Sequence, residues 1–409
     1  MSRSGATRAS IVRRGVLLPA LMMFAFVNFG SRASTSAAAT DGNGSPASAD
    51  CSPNAQPSVK VDRALTHLFS DRLGPGWVGG DATYSTSLSD GQEAFVFSDT
   101  LIGTATPGGS ARIAGVAHNS ELIGSMPDLR VSYGGTYRSP QPLIPDTRGH
   151  GYEWQVGATY AESGKQMIFV NEFAPQAGPF DRFAGRSGIA VLTTDPNGMP
   201  LLQSIIALPG GPRTQWGNAV TYDSSYMYVY GAVGDASTGK FSGMKLARVP
   251  RGHSVATDDW QYWNGRGWEG GETNAIVIPT RGELTGVIPR EGGIGYEAVS
   301  VPGALLADRT VDLSYACSPE GPWSAPVPVY SIPQIARFHH EFAYIPTFHP
   351  ELSPLGSVVI SYNIDTTDGL SATRRDVHSY QPQFLLIGSN ASHSSSTTTT
   401  FLVARAPSS

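Results

Sequence analysis

Cysteine is nearly missing from this sequence: of its 409 residues only Cys51 and Cys317 carry a thiol. Two thiols so far apart exclude a cysteine-based zinc site, which needs clustered ligands. An even pair behind an export leader predicts one disulfide, with two free thiols as the alternative. Charge is scarce as well, at 15% of residues, with a net charge of −5 and no run of one sign. Neither nucleic acid nor an anionic membrane surface is therefore expected as a partner. Long helical periodicity is almost absent, which argues against a helical fold. A long apolar run occurs only at residues 16–29, behind Arg3, Arg8, Arg13 and Arg14 and ahead of the small residues at 31–40. At about 14 residues it is short for a membrane span and reads as a secretory signal peptide, with an uncleaved anchor as the alternative.

What is present is a chain that is 40% hydrophobic, enough for a large core. The expected organisation is a leader at 1–33, a flexible Ala/Ser/Gly/Pro-rich linker at 34–57, a folded part at 58–388 and a disordered Ser/Thr-rich tail at 389–409. Such a protein is expected outside the cell as a monomer, with no stable membrane span once the leader is gone.

The folded part is organised around residues 77–103, WVGGDATYSTSLSDGQEAFVFSDTLIG. Residues 81–88 and 92–99 are rich in β-formers, and Ser89-Asp90-Gly91 between them is a three-residue hairpin loop with glycine at the left-handed position. If Leu88 faces Gln92, Asp81 lies opposite Asp99 at the open end of the hairpin, about 4.5–5.5 Å away between Cα atoms. Two carboxylates that close repel, and the proton affinity of one rises while the other stays ionised, which supplies a general acid beside a base or nucleophile. The plainer alternative is one Asp capping a turn and the other facing water.

The strand, tight turn, strand unit recurs at 153–173, 216–233, 283–301 and 342–363, each followed by one or two further strands. Five such units predict an all-β, five-bladed β-propeller, with a pair of β-sandwiches as the alternative. The last unit lacks its outer strand, and residues 59–69 are expected to supply it and close the ring. Aligning the units on their turns brings Gln155, Glu172, Trp216, Asn218, Glu283, His340 and Glu341 to the rim that holds Asp81 and Asp99, with His118 and Asn119 in reach. Carboxylates, amides, imidazoles and rings on one concave surface suit a carbohydrate, which needs directional hydrogen bonds and an apolar face. Trp216 and the histidines also read well as packing residues. The oxygen-rich rim leaves calcium open, although no compact ligand motif is present and no cofactor is expected.

The 77–103 segment, HNSELI, WGNAVTYDSSYMYVYG, SPEGPWSAPVPVY and FHPELSPLGSVVISYN together resemble a group of secreted bacterial five-bladed β-propeller domains. These were long catalogued as domains of unknown function; a relative degrades mycobacterial D-arabinan as an endo-acting glycoside hydrolase, and they share the fold of arabinanase and fructosidase propellers. The resemblance spans residues 77–387. It implies that Asp81 and Asp99 are the acidic pair at the catalytic end of the channel, and that Glu341 or Glu172 is a third acid. The function expected is a secreted glycoside hydrolase using a carboxylate pair at the channel mouth on a furanose-containing polysaccharide such as arabinan, with a polysaccharide or cell-wall glycan as partner. Asp99 would protonate the leaving oxygen and Asp81 act as nucleophile or base; a non-catalytic sugar-binding or adhesion propeller is the alternative.

Overall fold

In the computed structural model of the protein, residues 51–388 are described except 54, 147, 150, 177–180, 212, 236–239, 281, 301–308 and 338–339. The leader 1–33, the tail 389–409, His339 and all but the end of the 34–57 stretch lie outside the described residues.

The hairpin forms in the register that its loop dictates. Tyr84–Ser87 pairs with Glu93–Phe97 so that Tyr84 faces Val96 and Ser87 faces Glu93, and Leu88 N donates to Gln92 O at 2.8 Å across the turn. The ribbon does not open at the acidic pair, however. Gly76–Gly80 and Thr100–Ala105 go on pairing beyond it, in a separate three-stranded sheet completed by Ala111–Ala117. Asp81 and Asp99 sit at the corner between the two sheets, where Asp81 N donates to Asp99 O at 3.2 Å and Ser98 N to Asp81 O at 3.0 Å. The corner is made by Ala82, whose φ of 54° is left-handed.

Five sheets repeat one order of strands. The first adds Ser120–Gly124 and Arg130–Ser132 to the hairpin. The second is Glu153–Glu162, Lys165–Ala174, Arg182–Thr194 and Pro200–Ala207. The third is Thr214–Tyr222, Tyr226–Asp235, Lys240–Pro250, Gln261–Trp263 and Trp268–Glu269. Gly286–Pro289, Tyr296–Ser300, Thr310–Ala316 and Val327–Ser331 make the fourth. The fifth is Glu341–His349, Ser357–Thr366, Gln383–Gly388 and, from the other end of the chain, Ser58–Val61, with Ser58 facing Gly388 and Val61 facing Leu385.

The donated strand is shorter than the expected 59–69. Asp62 accepts from Leu65 N at 3.0 Å and caps a helix, Arg63–Ser70. Side chains three and four apart share a helix face, so Leu65, Leu68 and Phe69 pack together against Trp77, Phe95 and Phe384.

The first strands of the five sheets are neighbours in cyclic order, and that of the fifth touches that of the first. Hydrogen bonds stitch the joins: Val156 N to Ser98 Oγ at 3.0 Å, Asn171 Nδ2 to Trp216 O at 3.2 Å, Thr347 Oγ1 to Thr285 O at 2.7 Å and Thr83 Oγ1 to Asn363 Oδ1 at 2.8 Å. Three of these first strands bulge at matching places, between Val156 and Thr159, Trp216 and Ala219, and Tyr344 and Thr347. Left-handed residues mark two of the bulges, Gly217 at φ 89° and Ile345 at φ 44°.

Cys51 and Cys317 form the expected disulfide, with Cα atoms 5.3 Å apart. Among the described residues no helix is long and apolar enough to cross a membrane.

Candidate active site

The corner of the ribbon carries the acidic pair into a recess. Asp81 is recessed, and its Oδ1 is shut off from water without a hydrogen-bond partner. Its Oδ2 accepts from Tyr344 OH at 3.3 Å. Burial raises the Asp81 carboxyl well above the usual range, and the nearby charges of Asp99 and Asp365 add to this; the Tyr344 and Tyr380 hydroxyls oppose it. Asp365 is itself pushed up to about 7, chiefly by burial. Asp81 thus keeps a proton where an ordinary aspartate would not.

Asp99 has the opposite surroundings. Its side chain is 40% exposed, and His118 Nδ1 lies 2.8 Å from its Oδ1. The same Nδ1 lies 2.5 Å from Glu153 Oε2. Hydrogen bonds to Asp99 and then to Glu153 push the imidazole up to about 11, so His118 is a cation bridging two acids. Glu153 is buried and raised mainly by that burial, with His118 pulling the other way.

The walls come from two places. Tyr344 stands in the first strand of the fifth sheet, one residue before left-handed Ile345, just as Asp81 stands one before left-handed Ala82. Non-glycine residues in this region carry strain, about 1–3 kcal/mol each, and such strain gathers at functional sites. Tyr380, buried behind the pair, donates to Asp99 O at 3.3 Å. Its segment fits closely because Gly79 has no side chain: a Cβ there would come within 2.8 Å of Tyr380 O. Gln381 Nε2 donates to Val78 O at 2.8 Å and ties the segment down.

Asp81, Asp99 and His118 are brought together as the sequence predicts. Gln155 follows Glu153 by two residues on the same strand and is partly exposed. The remaining expected residues are engaged with other partners. Asn119 is buried and fully bonded: Nδ2 donates to Ile144 O and Trp154 O, both at 3.0 Å, and Oδ1 accepts from Ile144 N at 2.6 Å. Trp216 is wholly buried edge-on to Trp260 and Tyr262, so it is core and offers no stacking face. Glu172 is enclosed by two guanidinium groups, Arg148 at 3.1 Å and Arg186. Asn218 donates to Glu283, while Tyr84 OH donates to Asn218 O at 3.3 Å, so these three bind one another between sheets. Exposed His340 pairs with Asp368 at 3.2 Å, and Glu341, raised by burial, feels Asp376.

Glu153, Tyr344, Tyr380 and Asp365 were not foreseen. Glu153 had a usable signal, since strand alternation puts it on the side of Gln155. Tyr380 lies outside the repeating strands and had none.

Asp99, His118 and Glu153 are also the one cluster among the described residues whose ligand atoms lie within 4.8 Å of one another, as a divalent cation would need. His118 would have to lose its Nδ1 proton to bind there, so cation and proton compete for one position.

A family model described as a domain of unknown function, DUF5005, matches residues 62–389. No curated protein matches. Among solved structures, a protein of Bacteroides ovatus ATCC 8483 provisionally described as a hydrolase superposes with a TM-score of 0.63 at 17% identity, over 80% of this chain and 90% of that one. This is a likeness of fold. Looser superpositions, both with a TM-score of 0.43, are with xylan beta-1,4-xylosidase from Bacillus halodurans C-125 and the catalytic domain of Coprinopsis cinerea GH62 alpha-L-arabinofuranosidase. The first is 13% identical over 71% of this chain and 50% of that one, the second 11% identical over 79% and 93%.

Proposed function

The chain belongs to the DUF5005 family, a domain of unknown function, and from that premise we propose that it is a secreted glycoside hydrolase built on a five-bladed propeller and acting on a furanose-containing polysaccharide such as arabinan. The observation that carries the reading is a pair of neighbouring aspartates in unlike environments, Asp81 recessed and proton-holding, Asp99 half-exposed beside a cationic histidine. A carboxyl raised in this way beside a second carboxylate is the arrangement of a general acid and its partner. The five-bladed ring is supported by the cyclic contacts of the first strands and by the N-terminal strand seated in the last sheet. Export is supported by the signal-peptide-like pattern of residues 1–33 and by a disulfide that suits an oxidising compartment.

The roles run opposite to those expected from the sequence. The Asp81 carboxyl gives its proton to the glycosidic oxygen as the bond to the anomeric carbon breaks. Asp99 attacks that carbon and forms a glycosyl ester, held in place by His118. Water then attacks the same carbon, ionised Asp81 takes its proton, and Asp99 leaves as the carboxylate. The backbone hydrogen bond from Asp81 N to Asp99 O across the corner keeps the two residues adjacent and favours the short carboxyl separation, about 5–5.5 Å, of a retaining enzyme.

The test is to incubate the purified protein with arabinans, fructans and galactans and separate the products. Asp81→Asn and Asp99→Asn are each expected to lower turnover by about 10²–10⁴-fold, because asparagine keeps the shape but neither donates an acidic proton nor attacks carbon. A folded variant that cleaves at the parental rate would remove that residue from the mechanism. Binding without any turnover by the parent would instead mark a sugar-binding propeller.

A further inference from the structure

The FHPELS segment carries two titratable residues that take no part at the acidic pair, His349 and Glu351. Both lie at the seam where the fifth sheet meets the first. His349 is wholly buried, with the rings of Phe95 and Phe384 at 6.4 and 5.5 Å. Its Nε2 lies 2.8 Å from Ser361 Oγ, and Ser361 Oγ donates to Thr83 O at 3.4 Å. On the other side of the ring Nδ1 touches Ser85 Oγ, which also touches Glu351 Oε1. Glu351, Ser85, His349, Ser361 and Thr83 O thus form one line across the seam. Here serine stands between imidazole and acid, whereas in a hydrolytic triad the imidazole stands between serine and acid.

Counting protons fixes the direction of the line. Its four contacts need four protons. A neutral imidazole supplies one, each serine supplies one and Thr83 O supplies none, so the fourth comes from Glu351. With Glu351 protonated, every contact is a hydrogen bond: Glu351 donates to Ser85, Ser85 to Nδ1, Nε2 to Ser361 and Ser361 to Thr83 O. Burial favours this uncharged state at both residues, pushing Glu351 up to about 7 and His349 down to about 3. Two titratable groups face Glu351. One is His349, with Nδ1 3.9 Å from Oε1. The other is Glu93, held by Ser87 Oγ at 2.8 Å, whose charge also raises Glu351.

Once Glu351 is ionised, three protons remain for four contacts. Ser85 then donates to the carboxylate, the stronger acceptor. Its close contact with Nδ1 would set two lone pairs against each other, and the imidazole avoids this by carrying its proton on Nδ1. Nε2 then accepts from Ser361, and the contact given up is the long one, from Ser361 to Thr83 O. We infer that this line is a proton-operated switch built into the seam: loss of the Glu351 proton reverses the His349 tautomer and frees Thr83 O from Ser361. Thr83 stands two residues after Asp81, so the switch reaches the corner that holds the acidic pair. The inference is independent of the glycoside-hydrolase reading.

The test uses the full chain labelled with ¹⁵N-histidine and long-range ¹H–¹⁵N spectra at pH 5 and pH 9. The His349 signals are assigned by their loss in His349→Gln or, should that variant not fold, by ring-proton contacts with Phe95 and Phe384. Nε2 is expected to carry the proton at pH 5 and Nδ1 at pH 9, with the midpoint near the Glu351 value of about 7. Glu351→Gln keeps an N–H donor towards Ser85 at every pH, so it is expected to hold the proton on Nε2 throughout. One tautomer at both pH values, an imidazolium at pH 5, or a change that persists in Glu351→Gln overturns the inference. No turnover is measured, so the result stands apart from any test of hydrolysis.

Discussion

His118 governs the charge of the mouth, because its single Nδ1 serves Asp99 at 2.8 Å and Glu153 at 2.5 Å. Without it two carboxylates face each other with no cation between them. Hydrogen bonds to charged groups contribute about 1.5–3 kcal/mol, which is roughly ten- to a hundred-fold in rate. His118→Gln is therefore expected to lower kcat/KM by that factor and to displace the pH profile upward, since the imidazolium that pulls the raised Glu153 carboxyl down is gone. A Gln variant that lost activity with the profile unmoved would make His118 merely structural. That Asp81 and Asp99 meet was legible in the hairpin, since Ser89-Asp90-Gly91 sets the register locally. Which of them keeps the proton was not, because Tyr344, Tyr380 and Asp365 arrive from far along the chain.

The helix Arg63–Ser70 shows a different kind of miss. Residues 59–69 were expected as one strand, because the fifth sheet lacked an outer member and the segment lies just before the first blade. Asp62 ends the strand by capping a helix, and the strand deficit is filled by Ser58–Val61 alone. The helix then delivers Phe69, wholly buried, into an aromatic cluster: its ring lies 5.1 Å from Phe95 and from Phe384 and 5.8 Å from Trp77. Phe69→Ala should destabilise by about 3–5 kcal/mol, or roughly 6–20 °C in Tm at 2–4 °C per kcal/mol. Calorimetry that found a loss under about 1 kcal/mol would mean that the N-terminal segment is not integral to the fold. The three-stranded sheet formed by Gly76–Gly80, Thr100–Ala105 and Ala111–Ala117 was likewise unforeseen, as it interrupts the first repeat.

Taken together, the buried acids make stability depend on pH. Burial pushes Glu121 and Glu283 up to about 8 and Glu297, Glu351 and Asp365 up to about 7. Unfolded, such groups ionise near pH 4 to 4.5. Between that pH and about 8 the folded protein therefore holds more protons than the unfolded chain, and its stability falls as pH rises. His118, raised to about 11, extends the decline on the alkaline side. Buried His349, lowered to about 3, works the other way and raises stability from about pH 3 to 6.5. The maximum is expected near pH 4, where the one rising contribution of His349 is overtaken by the five carboxyls, with Tm at pH 8 lower than at pH 5 by at least about 2–4 °C, the shift of roughly 1 kcal/mol in a domain of this size. Equal melting at pH 5 and 8 would show that these carboxyls are ionised within the fold.

Residue order by itself determined the strand and turn rhythm, the hairpin register, the meeting of Asp81 with Asp99 and the pairing of Cys51 with Cys317. Each of the first three follows from local periodicity and turn chemistry, and the fourth from there being only two thiols. Tertiary structure alone decided that Asp81 is shut away and Asp99 open, that Asn119 and Trp216 are held inside, and that Arg148 and Arg186 enclose Glu172. Those outcomes depend on desolvation and on which distant side chains share a space, and neither quantity is written in the spacing of residues along a chain.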